Sequence, residues 1–339
     1  MSREFGQDTI LQRGRIIGTA PEDIAFAASL LIAGDLVGMP TETVYGLAAD
    51  ATQGEAVAAI YAAKGRPSFN PLISHVARLE QALEHGVFNA AALRLAEALW
   101  PGPLTLVVPF RANSPVSDLA RAGLDTIALR VPSHPAARAL IAEAGVPVAA
   151  PSANLSGRIS PTTARDVIAD LGDSVAAVVD GGACDVGLES TIISCIGDTV
   201  VQLRPGGIAR ESVTHILGRE MDLFIPDAAI RSPGLLESHY APLAALRMNV
   251  TEFRDDDAIL AFGTIKLPEF PANRPVVNLS PTANLLQAAA RLFSALRDLD
   301  AHHPATIAAV PIPAGGLGEA INDRLVRASA PRPLIHSHS

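Results

Sequence analysis

The chain is 339 residues long, 49% hydrophobic and 18% charged, enough material for one large or two ordinary domains and too apolar for disorder. Its formal net charge is −9, of which residues 1–218 carry −7 (15 Lys+Arg against 22 Asp+Glu), so neither half has the basic excess of a non-specific nucleic-acid binder. No run of 18 apolar residues free of proline and charge occurs, MSREFGQDTI lacks a secretory core, and two cysteines, Cys184 and Cys195, make no disulfide framework; the expectation is a soluble, cytoplasmic protein without a membrane partner.

Taken in order, Thr19-Ala-Pro-Glu22 has capping-box spacing, followed by Ile24, Ala27, Ala28 and Leu31 on one helical face and Gly34 as a stop. Leu36 to Met39 reads as a strand running into the loop PTETVYGL. Residues 54–63 predict a helix with Val57, Ile60 and Tyr61 on one face, ended at Gly65. ISHV, LTLVVPF, TIALRVP and PVAAPSA predict short buried strands, with helices at 90–99, 134–144 and 162–171 between them. STIISC and TVVQLRPG flank Gly197-Asp198 as a hairpin. This alternation is that of an α/β domain with a mixed sheet. From Gly218 the pattern lapses into a segment carrying Pro226, Pro233, Gly234 and Pro242, too long for an idle connection. A second α/β unit follows, with strands near 244–250, 257–262 and 275–279, a helix at 282–298, the strand TIAAVPIP and a helix at 318–329.

The common catalytic signatures are absent: there is no G-x-x-x-x-G-K-[ST], H-E-x-x-H, C-x-x-C or G-x-S-x-G, and Gly316-Leu-Gly318 lacks the third glycine of a dinucleotide loop. Polar loops set in apolar surroundings carry the chemistry instead. Thr41 and Thr43 follow a strand directly, the usual place for ligands in α/β sheets, although a satisfied turn explains them equally well. Lys64 and Arg66, with Asn70 held before Pro71 and His75 beyond, have the makings of a clamp on a phosphate chain; a helix C-terminus alone accounts for Lys64 only. Ser160-Pro161 is expected to cap and open a helix whose N-terminus, with Thr162 in its first turn, faces Ser152 and Asn154 as an anion site. Ser190 and Arg204, on hairpin neighbours, share one sheet end that Arg130 is placed to join.

Read together, PTETVYGL, IYAAKGRPSFNPLISHV, LWPGPLTLVVP, PSANLSGRISPT, GLESTII and LRPGG resemble the YrdC-like domain of the threonylcarbamoyl-AMP synthase family. SPGLLESHYAP, NLSP and AINDRL resemble its two-domain members. The resemblance implies a YrdC-like mixed twisted sheet with flanking helices over 1–217, a linker over 218–243 reaching the active site, and a smaller Rossmann-like α/β domain over 244–339. It implies ATP-dependent synthesis of L-threonylcarbamoyladenylate from L-threonine and bicarbonate, Mg²⁺ accompanying ATP, and a downstream tRNA threonylcarbamoyl-transferase complex. By position, Lys64, Arg66, Asn70, Thr126, Asn154, Thr162, Arg204 and Tyr240 match nucleotide contacts, and Thr43, His75, Arg130, Ser152 and Ser190 match threonine contacts. No residue matches a nucleophile or metal ligand. Leu235-Leu236-Glu237 departs from the family's more basic or Met-containing stretch before HYAP. Two rivals stand beside this reading: a double-stranded-RNA-binding module, disfavoured by the −7 of the first part, and a carbamoyl-transfer relative of hydrogenase maturation factors, whose zinc-finger and acylphosphatase segments are missing.

Overall fold

The computed structural model describes residues 13–222, 239–265 and 274–331. The first unit comprises β1 (Arg15–Ile17), α1 (Pro21–Ile32), β2 (Val37–Met39), β3 (Gly46–Asp50), α2 (Gly54–Lys64), β4 (Ile73–His75), α3 (Leu79–His85), α4 (Ala90–Leu99) and β5 (Leu104–Pro109). It continues through β6 (Thr126–Arg130), α5 (Pro135–Ala144), β7 (Val148–Ala149), α6 (Ala164–Leu171), β8 (Ala177–Val179), β9 (Thr191–Ile196), β10 (Thr199–Arg204) and α7 (Arg210–Leu217). The strands form one ten-stranded mixed sheet in the order β1-β8-β2-β3-β7-β4-β6-β5-β9-β10. Alternation across the pleat gives each face its own core: Leu47 and Ala49 of β3 pack with α2, α4 and α6, while Ala48 packs with α1 and α5.

The second unit comprises β11 (Ala245–Arg247), β12 (Asp257–Ala261), β13 (Val276–Asn278), α8 (Leu285–Asp300), β14 (Thr306–Ala309) and α9 (Leu317–Ser329). Its four strands are all parallel, in the order β11-β14-β12-β13. Leu292, Phe293 and Leu296 of α8 and Ile321 and Leu325 of α9 fill its core. That core continues into the first unit through Val44, Ile159 and Leu188. Gly187 sits so close to α8 that a Cβ there would meet Ala290 backbone, which fixes how nearly the units approach.

Several boundaries differ from the sequence reading. The helix after Thr19 is capped by Ala20 without a side-chain bond, because Pro21 sets the first helical φ and moves Glu22 out of capping register. The helix expected to open at Ser160-Pro161 opens instead after Thr163, which forms a reciprocal capping box with Asp166. Ser160 Oγ donates to Glu189 at 2.6 Å, and Thr162 lies ahead of the helix with its N–H donating to Asp166. The anion site expected at that N-terminus is therefore filled by the helix's own carboxylate. Gly46 and Leu47, read as loop, begin β3, and β1, β8, α3 and α7 had no sequence expectation. Of the segment SPGLLESHYAP, residues 232–238 lie outside the described residues.

Candidate active site

A small cleft open to solvent lies against the face of the large sheet that carries Ile73 and His75. These two are two residues apart on β4 and so share a face, and register sets Arg130 of β6 beside His75. Eight of the predicted residues line it: Thr43, Arg66, His75, Arg130, Ser152, Ser190, Arg204 and Tyr240. Five do not. Lys64, at the end of α2, turns its Nζ onto Ser152 O at 2.5 Å and onto Asn154 O, so it clasps the 152–154 loop. Asn154 donates to Leu155 O and Arg158 O and leaves a buried Oδ1 without a partner. Asn70 is buried, its carbonyl accepting from Tyr61 Oη at 3.0 Å. Thr162 is engaged by Asp166. Thr126 lines a separate hollow with Arg121 and Leu124 that shares only Pro71 and Leu72 with the cleft.

The cleft concentrates cations in a desolvated place. Burial pushes Arg66 down to about 10, and burial with Arg66 repulsion holds Lys64 well below its usual range. Arg66 makes one long bond, to Pro71 O at 3.3 Å, and its buried Nε has no partner. Arg204 donates to Ser190 O (3.2 and 2.9 Å) and Ser190 Oγ (3.2 Å), while Ser190 and Thr105 hydroxyls pair at 2.7 Å. Gly206 permits this corner, since a Cβ there would collide with the backbone of Glu189 and Thr191. Arg130 pairs with Glu42 at 2.7 Å; burial pushes that carboxyl upward, but Arg130 prevails and holds it below its usual range. Burial, with repulsion from Arg130, drives His75 down to about 3, so the ring is neutral, and it donates from Nδ1 to Ile73 O at 3.2 Å.

Tyr240 closes the cleft from the linker end. Its backbone takes φ 62°, its ring stacks on Phe293 at 5.5 Å, and its buried hydroxyl has no partner. Burial raises the phenol above its usual range, so it remains protonated as a donor. Four functional candidates escaped the sequence reading: Glu42, Glu189, His239 and Arg324. A carboxylate inside each of the uncharged runs PTET and GLEST was the available signal for the first two. Among the described residues, no group of three His, Cys, Asp or Glu side chains is placed to hold a metal ion. No helix among them is long and apolar enough to cross a membrane.

Comparison with known proteins matches two family models: one described as telomere recombination (Sua5/YciO/YrdC) over residues 29–206, the other as the threonylcarbamoyl-AMP synthase C-terminal domain over 208–330. The threonylcarbamoyl-AMP synthase of Bacillus subtilis is 41% identical, with 94% of this chain and 96% of that protein covered. That of Idiomarina loihiensis is 38% identical over 47% of this chain and 88% of its own length. The crystal structure of P. abyssi Sua5 complexed with L-threonine superposes with a TM-score of 0.84 at 35% identity, covering 93% of this chain and 97% of that one.

Proposed function

Because the chain belongs to the threonylcarbamoyl-AMP synthase family in its two-domain form, we propose how its cleft makes L-threonylcarbamoyladenylate from L-threonine, bicarbonate and ATP, with release of pyrophosphate. The observation that carries the proposal is the convergence of Arg66, Arg130 and Arg204 on one cleft in which Arg66 Nε and Tyr240 Oη are buried donors without acceptors. A buried donor without a partner costs about 1–3 kcal/mol, which an arriving anion recovers.

The reaction joins three anions and needs alignment and charge stabilisation more than a protein nucleophile. The threonine amine, as the free base, attacks the carbon of bicarbonate or CO₂, forming the C–N bond of an N-carboxylate with loss of water from bicarbonate, or of one amine proton to solvent when CO₂ reacts. An oxygen of that carboxylate attacks the α-phosphorus, and pyrophosphate leaves. Arg66 and Arg204 receive the phosphates, with Lys64 acting through the 152–154 loop that it clasps. Arg130, held by Glu42, takes threonine's carboxylate, while Thr43, Ser152, Ser190 and neutral His75 supply partners to its polar groups. Asn70, Asn154, Thr162 and Thr126 frame the nucleotide, and the unpartnered Asn154 Oδ1 supports an acceptor role there. Tyr240 lies over the reacting groups and keeps out water, which matters because the carbamate sheds CO₂ and the mixed anhydride hydrolyses.

Mg²⁺ fits as a companion of the triphosphate, not as a resident ion, because Glu42 and Glu189 are both committed to arginines. It would neutralise phosphate charge, and no step here is assigned to it. Residues 1–217 are the catalytic unit, 218–243 the linker that delivers Tyr240, and 244–339 a second domain; membership of two separate sheets supports that division. A labile acyl-adenylate calls for a prompt consumer, so we place the enzyme in the cytoplasm beside a tRNA threonylcarbamoyl-transferase complex. Mass spectrometry of products from ATP, bicarbonate and a panel of amino acids tests this. Threonylcarbamoyladenylate and pyrophosphate are expected; ADP and phosphate, or indifference to threonine, would refute it.

A further inference from the structure

Among the described residues, the polar contacts that join the two units differ in burial. Arg210–Glu319 (2.7 Å), Gln202–Glu319 (3.0 Å) and Arg297–Asp170 (2.7 Å) are at least partly exposed. Arg324 of α9 is fully buried; its Nε donates to Glu189 at 2.8 Å, its Nη1 to Asp323 at 2.7 Å, and its Nη2 has no partner. A buried ion pair is a poor route to stability, since apolar residues of equal volume avoid its desolvation cost. Position gives the better reason for an arginine here. Glu189 lines the cleft, precedes Ser190 and receives Ser160 Oγ on its other oxygen. The Arg324 guanidinium also lies 5.2 Å from the centre of the Tyr240 ring, which stacks on Phe293 of α8. One turn along α9, Arg327 O accepts from His239 N at 3.1 Å.

We infer that Arg324 is a positioning residue through which the second unit fixes both the Glu189–Ser190 corner and the Tyr240 ring for the reaction in the first. The inference rests on the synthase reading above. The groups facing Glu189 are Arg324 of α9, Arg204 of β10, the Ser160 hydroxyl and Tyr240, with Asp323 acting on Arg324, Arg204 and Tyr240 beside it. Without Arg324, Arg204 still acts on Glu189, and it is the cation that holds Ser190 through its carbonyl and hydroxyl. Glu189 then either draws Arg204 away from Ser190 or takes up a proton and ceases to accept from Ser160 as a carboxylate. Either outcome disturbs residues assigned to threonine and ATP, although Arg324 itself does not line the cleft.

The test uses the full chain carrying Arg324→Gln, Arg324→Lys, or Arg324→Gln together with Glu189→Gln. Threonine-dependent pyrophosphate release is measured from mildly acidic to mildly basic pH, with thermal melting run on each variant. Arg324→Gln is expected to raise the threonine KM about tenfold or more with a smaller change in kcat. It should also move the acid limb of kcat/KM to higher pH, since Glu189 loses its strongest cation. Arg324→Lys should return most of both effects, and the double variant should lose the displaced limb while keeping a raised KM. A packing role alone would lower the melting temperature without moving KM or the limb, and that result in folded Arg324→Gln overturns the inference. If Arg324→Gln does not fold, the double variant decides, and wild-type KM values in it are equally fatal. Absence of threonine-dependent product in the wild-type chain would instead strike the synthase reading itself.

Discussion

At the carboxyl end of β13 in the second unit, a place where open α/β sheets commonly receive ligands, the polar side chains are occupied with one another. Asn278 donates to Gly263 O and accepts from Ser280 N, Ser280 Oγ donates to Gln287 at 2.8 Å, and Asn284 accepts from Leu286 and Gln287 N–H groups. In the first unit's cleft polar side chains are left incomplete: Arg66 Nε, His239 Nδ1 and Tyr240 Oη are buried without partners. A polar cluster that completes its own hydrogen bonds holds a fold together; one that keeps buried donors facing a cavity is prepared for a ligand. Fold position would have pointed to both regions, and hydrogen-bond satisfaction separates them.

The largest effect is expected at Arg130, a cleft residue paired with a buried carboxylate. Arg130→Ala leaves Glu42 buried with Ser133 N–H as its remaining partner outside its own residue. It should therefore cost about 3–5 kcal/mol of stability in urea unfolding, and calorimetry should show threonine binding weakened far more than ATP binding. Equal losses for both ligands would make Arg130 purely structural. Arg66→Ala, which removes a buried donor without a partner, should instead leave stability in urea unchanged or raised. Its ATP affinity should still fall by about 1.5–3 kcal/mol, tenfold or more. Unchanged nucleotide binding would reduce Arg66 to a helix-end cation.

Acid titration sharpens the same contrast. An unfolded histidine titrates near 6.5 and buried His75 near 3, so between these values the unfolded chain binds a proton that the folded chain does not. The stability contributed by neutral His75 is complete above about pH 6.5 and falls by roughly 1.4 kcal/mol per pH unit as pH drops toward 3. Glu42 and Glu189, held low by arginines, lose their contributions below the ordinary glutamate range, as pH falls through their folded values. His75→Gln should flatten the upper part of that slope; an unaltered slope would mean that His75 is charged in the fold. The smallest effect belongs to the self-satisfied cluster. Asn284→Ala removes the α8 cap and should cost about 1 kcal/mol in unfolding with synthesis unchanged.

Periodicity revealed α8 and the short loop revealed the β9–β10 hairpin, because both signals are local. β3 escaped because Gly-Leu-Ala-Ala-Asp is buried on both faces and shows neither alternation nor β-branching. The start of α6 was misplaced because Ser160-Pro161 is as good a local signal as Thr163-Asp166, and what removes it is Glu189, 29 residues away. The site divides in the same manner. Motif resemblance picked out Lys64 and Asn154 but carries no hint that one clasps the other's loop away from the cleft. The Glu42–Arg130 and Glu189–Arg324 pairs join residues 88 and 135 apart, separations at which no sequence pattern announces a partner.

The cleft couples three substrates in one condensation. Pyrophosphate release from ATP by the purified full chain, with threonine and bicarbonate supplied together, singly and not at all, tests it most directly. Release is expected only when both are present. Release with either one omitted, or phosphate as the main product, would contradict it.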